Sequence, residues 1–213
     1  MTVKKNAYGL TLAFALLFSA ATGLILLDSE KANASPAGAL PQVPIISINS
    51  DGSITPETDL ISRNGNTYTL TADINEYEIS IGCSNIMFDG AGHTLRAKSS
   101  DHGVYLSFLT NVTVKNIEIT GFYNAISMHC CSHCRITGVK TSWYIELASS
   151  DYNTVTESTA KICLMSDVSE STQSNNNGFF RNNITEIVFS GVKSSVESNI
   201  FYKNNMLLGI DDL

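Results

Sequence analysis

The sequence predicts an all-β fold: a single-stranded parallel β-helix, that is, a solenoid of about 5–6 coils, preceded by a signal or anchor helix. Two features of the chain support this prediction. Short apolar-x-apolar pairs recur from residue 79 onward, and a second apolar residue follows each pair after a nearly constant step. No segment after Ala34 shows a sustained 3.6-residue apolar period, which argues against a helical repeat.

Residues 1–34 have the pattern of an export signal. Lys4 and Lys5 precede an almost uncharged apolar stretch at 7–27, and the sequence ANA at 32–34 is a small-x-small cleavage site. The alternative is an uncleaved membrane anchor, because about 20 apolar residues can span a bilayer. In both interpretations this segment engages the membrane or the export machinery. The rest of the chain is then extracytoplasmic: secreted, periplasmic or anchored at the cell surface.

Composition limits the classes of partner. The chain has 213 residues, 43% of them hydrophobic, and a formal net charge of −7. The hydrophobic share is typical of a folded chain rather than a disordered one. Binding of nucleic acid needs clustered Lys and Arg, and the sequence has no basic run. We therefore expect no nucleic-acid partner.

The chain after the N-terminal segment divides into a linker, a cap and a repeat region. Residues 35–44 are rich in Pro and small residues and are interpreted as a linker. Residues 45–78 alternate apolar and polar residues between turn signals, which predicts an N-terminal β cap. Residues 79–213 are predicted to form the coils of the β-helix.

The repeat region contains six apolar pairs, each with the character of a strand that has one buried face. The pairs are Ile79/Ile81, Val104/Leu106, Ile126/Met128, Ile145/Leu147, Ile162/Leu164 and Ile187/Phe189. A polar corner follows each pair and leads to a second apolar residue, here termed the anchor. The predicted anchors are Phe88, Val114, Ile136, Val155, Phe179 and Val196.

The step from pair to anchor is nearly constant. It is eight residues in three coils and seven in two, and the exception is the 15 residues from Leu164 to Phe179, where a polar loop is inserted. The spacings between successive anchors are 26, 22, 19, 24 and 17 residues. Leucine-rich repeats share this period but require a Leu-rich consensus that is missing here. Ile-, Val- and Thr-rich strands with Asn, Ser and Gly corners instead predict parallel strands stacked about 4.8 Å apart.

Three segments carry a resemblance to a known family: SNIMFDGAGHTLRA at 84–97, TNVTVKNIEITGF at 110–122 and HCRITGVKT at 133–141. They resemble the right-handed parallel β-helix (pectin-lyase-like) family. Within it, the chain is similar to the exported archaeal and bacterial periplasmic copper-binding-type β-helix repeat domains, also described as carbohydrate-binding and sugar-hydrolase β-helix domains. The resemblance covers residues 45–213 and implies a right-handed solenoid, whereas it is a poor guide to activity.

A polysaccharide lyase or hydrolase is one alternative function. The resemblance implies calcium-binding acids and a catalytic Arg in the lyases, and Gly-His-Gly and Arg-x-Lys elements in the hydrolases; the sequence has no Gly-His-Gly element. Glycoside hydrolysis needs two carboxylates placed across a groove. The candidate acids are scattered and are Asp89, Asp101, Glu118, Glu146, Asp151, Glu157 and Asp167. Glu146 is expected to point outward between Ser127 and Cys163 of the neighbouring coils, and no catalytic residue is assigned.

The segment MHCCSHC at 128–134 raises a second alternative, a copper-handling protein. Histidine and cysteine are ligands of copper and zinc, and those of this segment are His129, Cys130, Cys131, His133 and Cys134. Alignment of the corners makes the segment an ordinary corner, in which Cys134 faces inward and His133 outward. A bend that brought His129, Cys131 and His133 together would create a metal site. We assign no metal ligand and no cofactor from the sequence.

Disulfides are the other expectation for an exported chain, but five cysteines leave at least one unpaired. Cys83 is predicted to lie two coils, about 9.6 Å, from Cys130 and Cys131, which exceeds the usual Cα separation across a disulfide. Cys163 is predicted on another wall, and a bond between Cys130 and Cys131 would be strained. Isolated thiols are therefore the expectation.

The principal hypothesis is a scaffold without its own catalytic site that binds a polysaccharide or another cell-envelope component. The candidate contact residues are aromatic and are Tyr105, Trp143, Tyr144 and Tyr152.

Asparagines recur near the anchors, and stacked amides are expected to be structural. Asn116, Asn182 and Asn199 are interpreted in this way. Asn111 and Asn183 begin N-glycosylation sequons, which also arise easily in corners rich in Asn and Thr. The last residues, 199–213, look like a coil without a polar cap, which predicts either a fragment of a longer protein or end-to-end self-association.

Overall fold

The structure is a computed structural model that describes residues 43–165, 174–190 and 198–206. Throughout these ranges the regular elements are β-strands, which form a β-solenoid of about 6 turns. The predicted all-β solenoid is confirmed. The predicted signal or membrane anchor, most of the predicted linker, most of the inserted polar loop and the end of the chain lie outside the described residues. Within these ranges, no helix is long and apolar enough to cross a membrane.

The described residues form sixteen strands. In chain order they are β1 Ile45–Ile48, β2 Ile54–Thr55, β3 Ile61–Asn64, β4 Thr67–Leu70, β5 Ile74–Asn75, β6 Glu78–Ile81, β7 Met87–Asp89, β8 Thr94–Ser107, β9 Thr113–His129, β10 Arg135–Ala148, β11 Thr154–Thr156, β12 Thr159–Met165, β13 Gly178–Phe180, β14 Asn183–Ser190, β15 Ile200–Tyr202 and β16 Asn205–Met206.

Residues 45–78 contain two antiparallel pairs, β1 with β2 and β3 with β4. Two strands of this region also join the parallel stacks, since β1 pairs with β6 and β4 pairs with β7. Tyr68 of β4 is fully buried, and its hydroxyl donates to the backbone carbonyl of Gly52 at 2.7 Å. This hydrogen bond connects the two antiparallel pairs.

The predicted apolar pairs form one continuous stack. The strands that carry them pair in parallel in the order β6, β8, β9, β10, β12 and β14. The residues in direct register are Ile79, Val104, Ile126, Ile145, Ile162 and Ile187, and the second members of the pairs align in the same way. All six pairs are therefore confirmed. Phe189 differs in burial and is 61% exposed, because within the described residues β16 covers only Asn183 and Ile184 of β14.

The anchors form a second stack. The five predicted residues that lie in register are Phe88, Val114, Ile136, Val155 and Phe179. Val196, predicted as the sixth anchor, lies outside the described residues; the residue in register with Phe179 is instead Phe201 of β15, and the two rings stack with centroids 4.5 Å apart. The last corner is longer than seven residues, so a search for a constant step misses the true anchor.

The interior of the corners contains a ladder of asparagine side chains. The backbone N–H of Cys134 donates to Oδ1 of Asn153 one coil further on, at 2.9 Å. The N–H of Asn153 donates to Oδ1 of Asn177, and the N–H of Asn177 to Oδ1 of Asn199, both at 2.8 Å. The predicted structural role of Asn199 is confirmed.

A second ladder lies after the anchors. The backbone N–H of Ser158 donates to Oδ1 of Asn182 at 2.9 Å, and the N–H of Asn182 donates to Oδ1 of Asn204 at 2.8 Å. Asn182 therefore also has the structural role predicted for it. Asn116 does not belong to either ladder: it is exposed, and its Nδ2 donates to Oδ1 of Asp89 at 3.2 Å.

Three strands are longer than the short strands predicted from the sequence. β8, β9 and β10 span 14, 17 and 14 residues, because each bends from one side of the solenoid to the next and pairs with its neighbour on both sides of the bend. Register shifts mark two of the bends, between Arg96 and Ser100 in β8 and between Lys140 and Tyr144 in β10. In β9, Gly121 takes a φ of +82°.

Candidate functional site

A group of polar side chains projects outward from the strands that carry the apolar pairs. Because side chains alternate along a strand, the residues between and just before the inward pairs point away from the core. The exception is β9, where a register shift aligns Asn124, two residues before Ile126, with Tyr144. The parallel register aligns them in two rows. This group, here called the polar wall, comprises Asn124, Ser127, Tyr144, Glu146, Lys161, Cys163 and Glu186.

Glu146 lies at the centre of the polar wall. It is in register with Ser127 on one side and Cys163 on the other, which confirms the outward orientation predicted for it. Asn124 Nδ2 donates to Glu146 Oε2 at 2.7 Å, and Ser127 Oγ donates to Oε1 at 3.0 Å. Both carboxylate oxygens are therefore held by the preceding coil.

Glu186 is the second carboxylate of the polar wall. Tyr144 Oη donates to Oε1 at 2.6 Å, and Lys161 Nζ forms an ion pair with Oε2 at 2.6 Å. The hydrogen bonds from Lys161 and Tyr144 lower the pKa of Glu186. Burial and the hydrogen bond to Glu186 raise the pKa of Tyr144 to about 12. Glu186 is thus an anion at neutral pH, and Tyr144 keeps its proton.

Sequence reasoning missed Glu186 and Lys161, although a signal for both exists. Each directly precedes an inward residue of an apolar pair, Ile187 or Ile162, in the same way that Tyr144 precedes Ile145. Tyr144 aligns with Lys161, and Lys161 aligns with Glu186, on three successive coils. Only this register brings the three side chains into one cluster.

The protonation of Glu186 bears on catalysis. A glycosidase acid needs a raised pKa so that it can hold a proton at working pH. The pKa of Glu186 is instead lowered, and its carboxylate balances the charge of Lys161 in the ion pair. Glu186 is therefore better suited to accept fixed hydrogen bonds than to act as a general acid.

The other candidate acids that the structure describes are not members of the polar wall. Three of them pair with a basic side chain, each on the next coil: Asp89 with Lys115 at 3.0 Å, Glu118 with Lys140 at 3.5 Å, and Glu157 with Arg181 at 2.8 Å. These pairs link successive coils and are structural.

Two of the remaining candidate acids are also described. The carboxylate of Asp151 accepts a hydrogen bond from the backbone N–H of Asn175 at 2.6 Å, whereas Asp101 is exposed in β8. Asp167 lies outside the described residues.

Two exposed aromatic rings border the polar wall. Tyr123 is 60% exposed and Trp143 39% exposed, with ring centroids 5.9 Å apart and planes inclined by 48°. They immediately precede Asn124 and Tyr144 in the chain, so they adjoin the hydrogen-bonding groups of the wall. Of this pair, the sequence indicated Trp143 and not Tyr123.

The other predicted aromatic contacts have different positions. Tyr105 continues the row of Ser127 one coil earlier, and its ring lies 5.2 Å from that of His102. Tyr152 is 56% exposed on a corner, where it stacks on His133 with centroids 5.5 Å apart. Tyr152 is therefore not part of the polar wall.

The side chains of the MHCCSHC segment face different environments. Cys131 and Cys134 are 1% and 2% exposed inside the corner. His133 is exposed against Tyr152, and the ring of His129 lies 6.1 Å from that of Phe108. The inward position of Cys134 and the outward position of His133 are confirmed. Among the described residues, no three His, Cys, Asp or Glu side chains form a group that could hold a metal ion.

Cys163 provides a test of the electrostatics of the polar wall. Burial and the carboxylates of Glu146 and Glu186 raise the pKa of its thiol to about 11. We therefore expect its alkylation by iodoacetamide to be slow at pH 8 and to rise with a midpoint near pH 11. The measurement is site-resolved mass spectrometry against pH. Glu146→Gln should lower the midpoint and speed the reaction, whereas Glu157→Gln, remote from the wall, should not; an ordinary thiol midpoint near pH 9 would contradict the assigned environment.

The fold and the polar wall define this protein as a β-solenoid with a polar outer face bordered by exposed aromatic rings. Comparison of the chain with protein-family models, with curated proteins and with solved structures gives no match in any of the three.

Proposed function

We propose that the polar wall and the Tyr123–Trp143 pair bind an uncharged polysaccharide, and that the protein is an exported scaffold at the cell surface or in the cell envelope. The observation that carries this proposal is the junction of two exposed aromatic rings with a row of fixed hydrogen-bonding groups. The export pattern of residues 1–34 supports the extracytoplasmic location.

Sugar rings present apolar C–H faces and hydroxyl groups that both donate and accept hydrogen bonds. An exposed indole or phenol ring can cover the apolar face, because aromatic side chains offer large, rigid contact areas. The carboxylates of Glu146 and Glu186 can accept hydrogen bonds from sugar hydroxyl groups, and Asn124 and Lys161 can donate hydrogen bonds to hydroxyl oxygens. The side chains of the wall already hold one another in place, which reduces the entropy lost on binding.

Charge favours an uncharged ligand over an acidic one. The polar wall contains two carboxylates and one ammonium group, and the chain as a whole has a net charge of −7. A polyuronate would therefore meet like charge on the wall and over the whole protein.

Trp143 makes this proposal directly measurable, because it is the only tryptophan of the chain. We expect neutral glucans or mannans to change the intrinsic fluorescence of the purified protein in a saturable way. Tyr123→Ala should weaken the binding roughly 3- to 10-fold, since an aromatic contact contributes about 0.5–1.5 kcal/mol beyond its area. Tyr152→Ala removes an equally exposed ring on a corner and is the matched control, for which unchanged affinity is expected.

The outcomes against the proposal are distinct. Equal loss of binding in Tyr123→Ala and Tyr152→Ala would show that the polysaccharide does not bind specifically at the polar wall. Tighter binding of polygalacturonate than of neutral glycans would overturn the choice of ligand. Release of reducing ends or unsaturated sugars from any polysaccharide would show an enzyme rather than a scaffold.

A further inference from the structure

The corner at residues 129–134 brings two cysteine side chains together inside the solenoid. Cys131 and Cys134 are almost fully buried in the same corner, and the interaction between their side chains raises the pKa of the Cys131 thiol and lowers the pKa of the Cys134 thiol. Each sulfur also lies 3.4 Å from a backbone carbonyl oxygen of the same corner, that of His129 for Cys131 and that of Ser132 for Cys134. Both sulfur atoms therefore lie on the inner side of one tight bend.

The next coil holds the backbone at both cysteines. The N–H of Cys131 donates to Ser150 Oγ at 3.0 Å, and its carbonyl accepts a hydrogen bond from Asn153 Nδ2 at 3.0 Å. The N–H of Cys134 donates to Asn153 Oδ1 at 2.9 Å. The corner therefore fixes the backbone positions from which both thiols point inward.

Neighbouring corners show what otherwise occupies these two positions. In the preceding corner they hold Leu109 and Val112, which are buried and apolar, and in the following corner they hold Ser150 and Asn153. The two inward positions of a corner are thus neighbours in the repeat itself. Cysteine at both of them places two thiols where a covalent bond can close the bend.

We propose that Cys131 and Cys134 form a disulfide within this corner, made by exchange with an external disulfide while the corner folds. The thiolate of one cysteine attacks the external disulfide, forms a mixed disulfide and releases one external thiolate. The second cysteine, once deprotonated, attacks the sulfur of the first and releases the second external thiolate. The protein loses two electrons and two protons, and the external disulfide becomes two thiols.

The burial of the pair fixes the order of events. At 1% and 2% exposure, neither thiol of the packed corner is open to an external disulfide. Exchange therefore precedes packing, and the finished bond is then protected from reductants. An oxidising compartment, such as the one to which residues 1–34 are predicted to direct the chain, supplies the disulfide.

A metal bound at this pair is the competing chemistry. The corner would offer a metal ion two sulfur ligands, whereas a structural zinc ion requires four ligands. The imidazole of His133, between the two cysteines in the chain, stacks on Tyr152 outside the corner. Among the described residues no third ligand joins the pair. These positions favour a bond between the sulfurs over a shared ion.

The test compares the full chain refolded with oxidised and reduced glutathione against the chain refolded with a phosphine reductant. After denaturation and alkylation, the oxidised protein should contain three titratable thiols out of five, and peptide mapping should join Cys131 to Cys134. Closure of so short a loop should raise the thermal midpoint by roughly 4–8 °C relative to the reduced protein. The double variant Cys131→Ser, Cys134→Asn copies the next corner and should fold without this redox-dependent shift.

Cys130 is the required control because it adjoins the pair. Cys130→Ser should retain the disulfide and the shift in thermal midpoint. Five alkylated thiols after oxidative refolding, a bond that includes Cys130 or Cys163, or stoichiometric zinc or copper on a reduced pair would each overturn the proposal. None of these outcomes depends on the binding of a polysaccharide, so the test is independent of the proposed function.

Discussion

Replacement of Gly121 by alanine is expected to destabilise the protein by more than about 4 kcal/mol or to abolish folding. Gly121 lies in β9 with a φ of +82°, where an L residue is strained. A Cβ built at this position would overlap the carbonyl oxygen of Ala97, which is backbone and cannot rotate away. Since β8 and β9 are neighbouring strands, relief of the overlap would push two coils apart. The midpoint of urea unfolding, with soluble yield, measures the effect.

Gly92 is a matched control for this substitution. Its φ of +84° is almost the same, yet a Cβ built on Gly92 would meet no atom within 4 Å. Gly92→Ala should therefore cost only the backbone strain, about 1–2 kcal/mol. The difference between the two variants isolates the overlap with the neighbouring coil. If both variants lost the same stability, close approach of the coils at Gly121 would not be the cause.

The alternation of side chains made the inner stack of the solenoid predictable. An inward residue must be apolar in every coil, so the positions of the six pairs from Ile79/Ile81 onward predict which residues of successive coils align. The strand pairing confirms this register. Five of the six anchors were also predicted correctly from the apolar pattern. Phe201 could not be found from a constant step, because it follows Phe189 by twelve residues instead of seven or eight.

The polar wall was only partly predictable. The position of Glu146 between Ser127 and Cys163 follows from register alone, and the structure confirms it. The Glu186 cluster also needs register, but its recognition depends on hydrogen bonds between long side chains from three coils. Such contacts are set by rotamers and not by the apolar pattern that identifies the fold.

The approach of Cys131 and Cys134 was missed for a related reason. Strict alternation along an extended strand would place residues three apart on opposite sides. The corner is not extended, because Cys130 and His133 take positive φ values of 52° and 55°. These two residues reverse the alternation, so both cysteines face inward. The sequence contains the pair, but only the backbone of the corner brings it together.

Replacement of Asn177 by alanine is expected to destabilise the protein by roughly 2–6 kcal/mol. Asn177 is fully buried in the first asparagine ladder. Its Oδ1 accepts the N–H of Asn153 at 2.8 Å, and its Nδ2 donates to the carbonyl of Ser150 at 2.9 Å. Alanine would leave one buried donor and one buried acceptor without these partners, each at a cost of about 1–3 kcal/mol. Urea unfolding followed by circular dichroism measures the loss.

The control for this prediction is Asn75→Ala, in which an exposed asparagine of β5 is replaced and a change within about 0.5 kcal/mol is expected. A solenoid also shows where a substitution destabilises the structure, because the strands of each coil pair only with those of the neighbouring coils. Hydrogen exchange in Asn177→Ala should increase first at Asn153 and at the neighbouring backbone of that corner, and least near Tyr68 at the far end of the stack. Uniform loss of protection from Tyr68 to Asn153 would show that the solenoid unfolds as one unit and that the ladder does not act locally.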